Sequence, residues 1–216
     1  TRISRCLSIK TGKNENYFKI FPKTFPKGGL PSDEFLINLR TLRNEYLKLQ
    51  SINHPDMLID KIDEFSSFVN KAYSTLKSPL TRSQYFLLLN NIDLINDKEN
   101  KNTNTNSNSV NLEKMKNLDS SILMEIYETC EEIENCENEK NLKILNQKNN
   151  GKIKNCELKL NELYSSFNSL TSSPNSTERK SLLKQIIKET IKLKYWFNIK
   201  KNIKEWEPGK EVVMNH

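Results

Sequence analysis

The sequence is poor in the residues from which catalytic and metal sites are usually built. Only two of its 216 residues are histidine and five are glycine, and no glycine-rich phosphate loop or G-x-S-x-G elbow can be found. We therefore predict no catalytic set, no cofactor and no metal site, in a protein that is not an enzyme. Long apolar runs are also missing. The longest is Phe86–Leu89, whereas a membrane span needs roughly 18 to 20 apolar residues, so we expect no membrane partner.

Cysteine is scarce, and its spacing does not suit a metal centre. The four cysteines are Cys6, Cys130, Cys136 and Cys156. Zinc ligands usually come in close pairs such as C-x2-C, but the nearest two here are six residues apart with no histidine close to them. We expect free thiols in a reducing compartment.

The positive charge of the chain is distributed in blocks. The formal net charge is +7, and residues 1–31 carry seven basic residues against one acid. Further along, residues 118–139 hold eight acids and no base, whereas residues 179–204 hold nine bases and one acid. We interpret these two blocks as oppositely charged helices that lie side by side. The alternative is a basic helix that binds nucleic acid.

Composition divides the chain into two modules. Residues 1–16 are basic, serine-containing and almost free of acids, as in a mitochondrial targeting peptide, and we treat them as a disordered leader remnant. Seven of the sixteen residues from 96 to 111 are asparagine, and such a stretch buries too little apolar surface to offset the entropy of ordering it. It is predicted to be a flexible connector between residues 17–95 and residues 112–216.

In the first module, apolar residues recur at steps of three and four from Phe35 to Leu49 and again from Ile62 to Leu76. Each series predicts an amphipathic helix. Ser32 is the predicted N-cap of the first helix, because two acids follow it. The first helix must end before Pro55, since the residue preceding a proline is pushed out of the helical region. The pattern is that of a helical hairpin with a polar loop at its tip.

The second module shows helical spacing in three stretches, residues 118–134, 142–167 and 179–206. No stretch alternates convincingly with a period of two. We therefore predict an all-α protein whose C-terminal module is a three-helix antiparallel bundle.

The loop of the N-terminal hairpin reads His54-Pro55-Asp56. As a bare tripeptide it is weak evidence, because proline and aspartate are ordinary turn residues. The context is more specific: basic residues lie on the preceding helix, Tyr17–Pro22 comes before it, and the segment Asn70–Tyr85 follows. Together these residues resemble a J domain, the module by which co-chaperones engage DnaK-type ATP-driven chaperones.

The C-terminal end narrows the resemblance. Leu193–Asn198 and Trp206–Lys210 precede a terminal Met214–His216. A J domain followed by a helical bundle with this ending resembles the HscB-type co-chaperones of iron–sulfur cluster assembly, particularly the fungal mitochondrial form. The resemblance covers nearly the whole chain after residue 16 and implies a protein of the mitochondrial matrix.

The resemblance implies two binding surfaces. In the J domain, His54, Pro55 and Asp56 would dock on the mitochondrial DnaK-type chaperone and promote its ATP hydrolysis. Three basic residues on the preceding helix would attract the acidic face of that chaperone and so guide its approach: Arg40, Arg43 and Lys48.

The bundle would hold the iron–sulfur cluster scaffold protein. On the first helix of the bundle, apolar residues cover a wider sector of the helix surface than packing against one neighbouring helix would bury. The excess could form an exposed patch for a partner. By resemblance the scaffold-binding positions are Leu123, Tyr127 and Tyr195, with an acidic rim formed by Glu128, Glu131 and Glu132.

Two other functions compete with this interpretation. One is a general J-protein that receives unfolded clients. The other is the nucleic-acid binder, which would use the basic residues from Arg179 to Lys204.

Overall fold

The structure is a computed structural model that describes residues 16–51, 59–94, 120–170 and 176–207, with backbone alone for 59–63. Within these ranges it contains one short 3-10 helix (Tyr17–Ile20), six α-helices and no strand. The all-α prediction is confirmed. The helices are α1 (Leu39–Ser51), α2 (Ile59–Lys77), α3 (Pro79–Leu89), α4 (Ser120–Glu134), α5 (Glu139–Ser169) and α6 (Thr177–Lys204).

The predicted start of the first helix was wrong. Ser32 does not cap it: α1 begins at Leu39, and the Asn38 side chain accepts hydrogen bonds from the backbone N–H groups of Arg40 and Thr41, at 3.0 and 3.3 Å. The reason lies in the preceding loop. The buried Asp33 carboxylate accepts from the backbone N–H groups of Lys27 and Gly29, which holds this segment in a turn and leaves Phe35 buried ahead of the helix.

The chain forms two compact units, residues 1–82 and 83–216. Helix α3 contributes its first turn to the first unit and the remainder to the second. Pro79 suits this start, because the first helical position has no use for a backbone N–H. The predicted module boundary near residue 95 and the connector at 96–111 lie at or beyond the edge of the described residues, as do residues 1–15 of the predicted leader.

In the first unit, aromatic side chains of the 3-10 helix and of the loop that follows it contribute much of the core: Phe18, Phe21, Phe25 and Phe35 are at most 1% exposed. One buried carboxylate joins this loop to α1. Glu45 accepts from the backbone N–H groups of Lys23 and Thr24 at 2.7 and 2.9 Å, and from the Thr24 hydroxyl at 2.6 Å. Helix α1 pairs with α2 through the stacked rings of Tyr46 and Tyr73, 4.1 Å apart.

In the second unit, α5 and α6 run antiparallel along their length. Arg179 near the start of α6 donates to the backbone carbonyl of Phe167 near the end of α5, and Asn149 near the start of α5 donates to the backbone carbonyl of Trp196. The end of α3 joins this pair through Phe86, whose ring meets the Tyr164 ring edge to face at 4.9 Å.

A buried hydroxyl cluster lies at the junction of α3, α5 and α6. The Ser83 hydroxyl is hydrogen-bonded to Tyr164 at 2.7 Å and to Thr190 at 2.6 Å, and the Thr190 hydroxyl donates to the Ile186 carbonyl. All the hydroxyl groups of the cluster are therefore satisfied, as buried polar groups must be.

Two adjacent glycines provide a matched test of the first core. Gly28 and Gly29 both have positive φ angles, +91° and +110°. A side chain at Gly29 would overlap the Phe18 ring, whereas one at Gly28 would meet no atom within 4 Å. We expect Gly28→Ala to cost about 1–2 kcal/mol in the free energy of unfolding, from backbone strain alone. Gly29→Ala should cost about 2 kcal/mol more because of overpacking. Equal losses in urea unfolding would contradict the described contact with Phe18.

Candidate functional site

The predicted chaperone-binding residues divide into two groups. His54, Pro55 and Asp56 lie outside the described residues. Arg40, Arg43 and Lys48 are exposed on α1, and within the described part of the chain no ion pair engages any of them.

Helix α4 is placed by one buried side and by two polar contacts. Ile126, Cys130 and Ile133 are buried on the side that faces the bundle. Near the C-terminal end of α4, the indole N–H of Trp206 donates to the Ile133 carbonyl at 3.2 Å. The same carbonyl, near the helix end, also accepts from the backbone N–H of Cys136 at 3.2 Å.

The second polar contact is made by Lys152 of α5. Its ammonium group lies 3.1 Å from Glu125 Oε1 and 3.3 Å from the Thr129 hydroxyl, both on α4. The same ammonium group lies 4.3 Å from the centre of the buried Trp196 ring on α6. One lysine thus touches all three helices of the bundle. Glu125 of the acidic helix α4 is therefore paired with a lysine of α5 and not with a lysine of the basic helix α6.

The predicted apolar residues come together on α4 and α6. Tyr127 is 65% exposed, and Leu123 and Tyr195 are partly exposed. The pKa of the Tyr195 hydroxyl is raised, first because burial disfavours the phenolate and second because of the nearby Tyr127. The Tyr127 and Tyr195 hydroxyls are therefore close enough for their charges to influence one another.

Sequence reasoning missed one member of this surface. Met124 follows Leu123 on α4 and is 65% exposed. The sequence could have identified it, because helical rotation places Met124 roughly 160–180° from the stripe residues Ile126 and Ile133. An apolar residue on that side of the helix cannot share their core contact. We call Leu123, Met124, Tyr127 and Tyr195 the α4–α6 patch.

The predicted acidic rim lies mostly beside a different feature. Glu128, Glu131 and Glu132 line an open cleft of about 570 Å³ between α4 and α5, opposite Ile144 and Lys148 of α5. Successive residues of a helix are rotated by about 100°, so Glu128 and Glu132 point well away from Tyr127. Glu131 points within about 40° of it. Glu131 therefore adjoins the α4–α6 patch beside Tyr127, and Glu128 adjoins it beside Met124, four residues earlier on the helix.

The described residues contain no group of three or more histidine, cysteine or acidic side chains arranged to hold a metal ion. Cys130, Cys136 and Cys156 are buried and form no disulfide with one another, and burial is the main reason why the pKa values of Cys130 and Cys156 are raised. None of the helices in the described ranges is both long enough and apolar enough to cross a bilayer.

Comparison with known proteins gives the family. Residues 118–204 match the family model described as the HSCB C-terminal oligomerisation domain. The chain is 35% identical over 201 residues to the mitochondrial J-type co-chaperone JAC1 of Saccharomyces cerevisiae, covering 93% of each chain. The chain belongs to the HscB/Jac1 family of J-type co-chaperones.

Two further relatives agree with this assignment. The iron-sulfur cluster co-chaperone protein HscB of Mus musculus is 27% identical over 177 residues, covering 79% of this chain and 63% of the mouse protein. The solved structure of the Saccharomyces cerevisiae Jac1 co-chaperone superposes with a TM-score of 0.66 at 32% identity, covering 91% of this chain and 99% of Jac1.

Membership settles several predictions. The resemblance to HscB-type proteins is confirmed, and so is the architecture of a J domain followed by a helical domain. The chain is a mitochondrial co-chaperone of the iron–sulfur cluster assembly family, which is a family of co-chaperones and not of enzymes.

The electrostatic influence of Tyr127 on Tyr195 can be tested by titration. Because the folded-state pKa of Tyr195 is raised, its contribution to stability is fully present below the unfolded-state pKa of about 10 and is lost as the pH rises through the folded-state value. We expect Tyr127→Phe to lower the Tyr195 pKa without restoring the ordinary value, since burial is the larger cause.

Tyrosinate absorbance, with Tyr195→Phe to assign the transition, measures this effect. Tyr17→Phe, in the first unit, is the control. A Tyr195 pKa that is the same in Tyr127→Phe as in the wild type would contradict the electrostatic influence of Tyr127 on Tyr195.

Proposed function

We propose that this co-chaperone binds the iron–sulfur cluster scaffold protein through the α4–α6 patch and delivers it to a DnaK-type chaperone of the mitochondrial matrix. His54, Pro55 and Asp56 engage that chaperone and stimulate its ATPase, which promotes transfer of the cluster. The chain itself catalyses no reaction.

The observation that carries the proposal is the exposure of large apolar side chains on α4. Met124 and Tyr127 are each 65% exposed, although burial would be favourable for both. Both lie near Leu123 on α4, whose opposite side is buried through Ile126 and Ile133, and Tyr195 of α6 lies near Tyr127. Contiguous exposed apolar groups of this kind commonly mark a protein-binding surface, and tyrosine is enriched among the residues that dominate binding energy.

The size of the patch indicates a transient interface. Four apolar residues form a small anchor group, and small interfaces belong to complexes that must also dissociate. Release is necessary for a protein that hands its cargo to a chaperone.

The acidic residues have a secondary role in the proposal. Glu128 and Glu131 flank the α4–α6 patch, and all three glutamates line the neighbouring cleft. Exposed charges at the rim of an interface mainly change the association rate and its salt dependence. These glutamates therefore favour approach of a basic scaffold surface and contribute little to the lifetime of the complex.

The chaperone-binding side of the proposal is supported by α1. Arg40, Arg43 and Lys48 are exposed and not engaged by described acids, so they produce a positive potential on the helix that leads toward the His54-Pro55-Asp56 loop. Such a surface accelerates encounter with an acidic partner.

Scaffold binding is tested by removing the patch. We expect Leu123→Ala, Tyr127→Ala and Tyr195→Ala each to weaken scaffold binding in calorimetry by about tenfold or more, since anchor residues contribute upwards of ~1–2 kcal/mol. Leu158→Ala is the matched control, because Leu158 is 45% exposed on α5, outside the patch.

The outcome separates two kinds of J-protein. Scaffold affinity that is unchanged in all three variants, with native helical content, would contradict the proposal. Loss of scaffold binding in variants with native helical content, from a wild type that does not bind an unfolded model client, would exclude the general J-protein.

A further inference from the structure

Helix α1 carries two exposed leucines that the packing of the first unit does not explain. Leu39 is 51% exposed and Leu47 is 50% exposed. The core side of the same helix is formed by Leu42, Glu45 and Leu49, which are all buried. Single exposed leucines are ordinary, but these two lie on the same side of the helix.

The arrangement of the two leucines relative to the arginines is regular. Leu39, Arg43 and Leu47 are spaced by four residues and therefore form one line along the helix surface. Arg40 lies beside this line. It precedes Leu47 by seven residues, or about two helical turns, so the two side chains lie on nearly the same side of the helix. We call Leu39, Arg40, Arg43 and Leu47 the α1 strip.

The charge of the α1 strip is not offset on its own helix. The single acid of α1 is Glu45, and its carboxylate is 7% exposed and accepts three hydrogen bonds from the preceding loop. No described residue forms an ion pair with Arg40 or Arg43. The α1 strip therefore presents two cations and two apolar side chains together.

We propose that Leu39 and Leu47 are apolar anchors for the partner chaperone, and that the chaperone surface facing α1 is acidic and contains apolar sites that receive these two side chains. The inference rests on the proposed function. It adds Leu39 and Leu47 to the chaperone-binding surface already proposed, which consists of the His54-Pro55-Asp56 loop and the basic residues of α1. The arginines speed the encounter and orient the partner, whereas the leucines, by losing contact with water, slow its dissociation.

Other occupants fit the α1 strip less well. A second copy placed by two-fold symmetry would bring the same arginines face to face, and like charges oppose such a pairing. A lipid surface would match the positive charge, but interfacial helices bury a far larger apolar face than two leucines.

The test is the concentration of this protein that half-maximally stimulates the ATPase of a mitochondrial DnaK-type chaperone. We expect Leu39→Ala and Leu47→Ala each to raise that concentration about fivefold, with the maximal rate retained. The increase should persist at high salt, whereas the effect of Arg43→Gln should shrink as salt screens the charge. Neither leucine substitution should alter helical content, because leucine and alanine have similar helix propensities.

Two controls separate the possible outcomes. Leu158→Ala changes an equally exposed leucine of the second unit and should behave as the wild type. His54→Gln should abolish stimulation at every concentration.

If the wild type stimulates and the double variant of Leu39 and Leu47 requires no more protein than the wild type, the inference is overturned and the proposed function stands. If the wild type does not stimulate, both are overturned. Co-sedimentation with anionic vesicles that is lost in the double variant, with stimulation unaffected, would assign the α1 strip to lipid and also overturn the inference.

Discussion

The packing of α5 against α6 is the constraint on which the proposed scaffold-binding surface depends. These two helices bury Tyr164 and Trp196 between them, and the Ser83 hydroxyl joins them to the end of α3. Helix α4 has no comparable partner of its own. It lies on the pair through Ile126 and Ile133, through the ammonium group of Lys152 and through the Trp206 indole. The orientation of α4, and hence of Tyr127, is therefore set by residues that do not belong to the patch.

Both units use one helix in the same way: one side supplies the core and the other presents apolar groups beside charges of a single sign. On α4 the exposed apolar groups are accompanied by glutamates, and on α1 by arginines. Opposite signs on the two helices favour different partners, since like-charge juxtaposition across an interface costs several kcal/mol. One chain can thus bind two proteins, with the wrong pairing disfavoured by charge.

Much of this fold could be predicted from the sequence, because helical periodicity is a local signal. The spacing of apolar residues located five of the six described α-helices to within a few residues. The exceptions have tertiary causes. Asp33 accepts hydrogen bonds from Lys27 and Gly29, and this contact keeps Ser32 from capping α1. The residues of α3 were assigned to the J-domain resemblance and not to a separate helix.

The candidate site was less predictable than the helices. On α4, helical rotation separates Glu128 from Tyr127, although the two are adjacent in sequence. Lys152 could not be identified from sequence, because its partners are on other helices.

The central claim is that the two surfaces act together, with the scaffold held at one while the other drives the chaperone. Its most direct test is the steady-state ATPase rate of the chaperone with this protein, measured with and without scaffold, for the wild type and for a triple alanine variant at Leu123, Tyr127 and Tyr195. We expect the wild-type rate to rise further with scaffold, and the variant to retain stimulation but lose this further rise. A scaffold-dependent rise that survives in the variant would contradict the central claim.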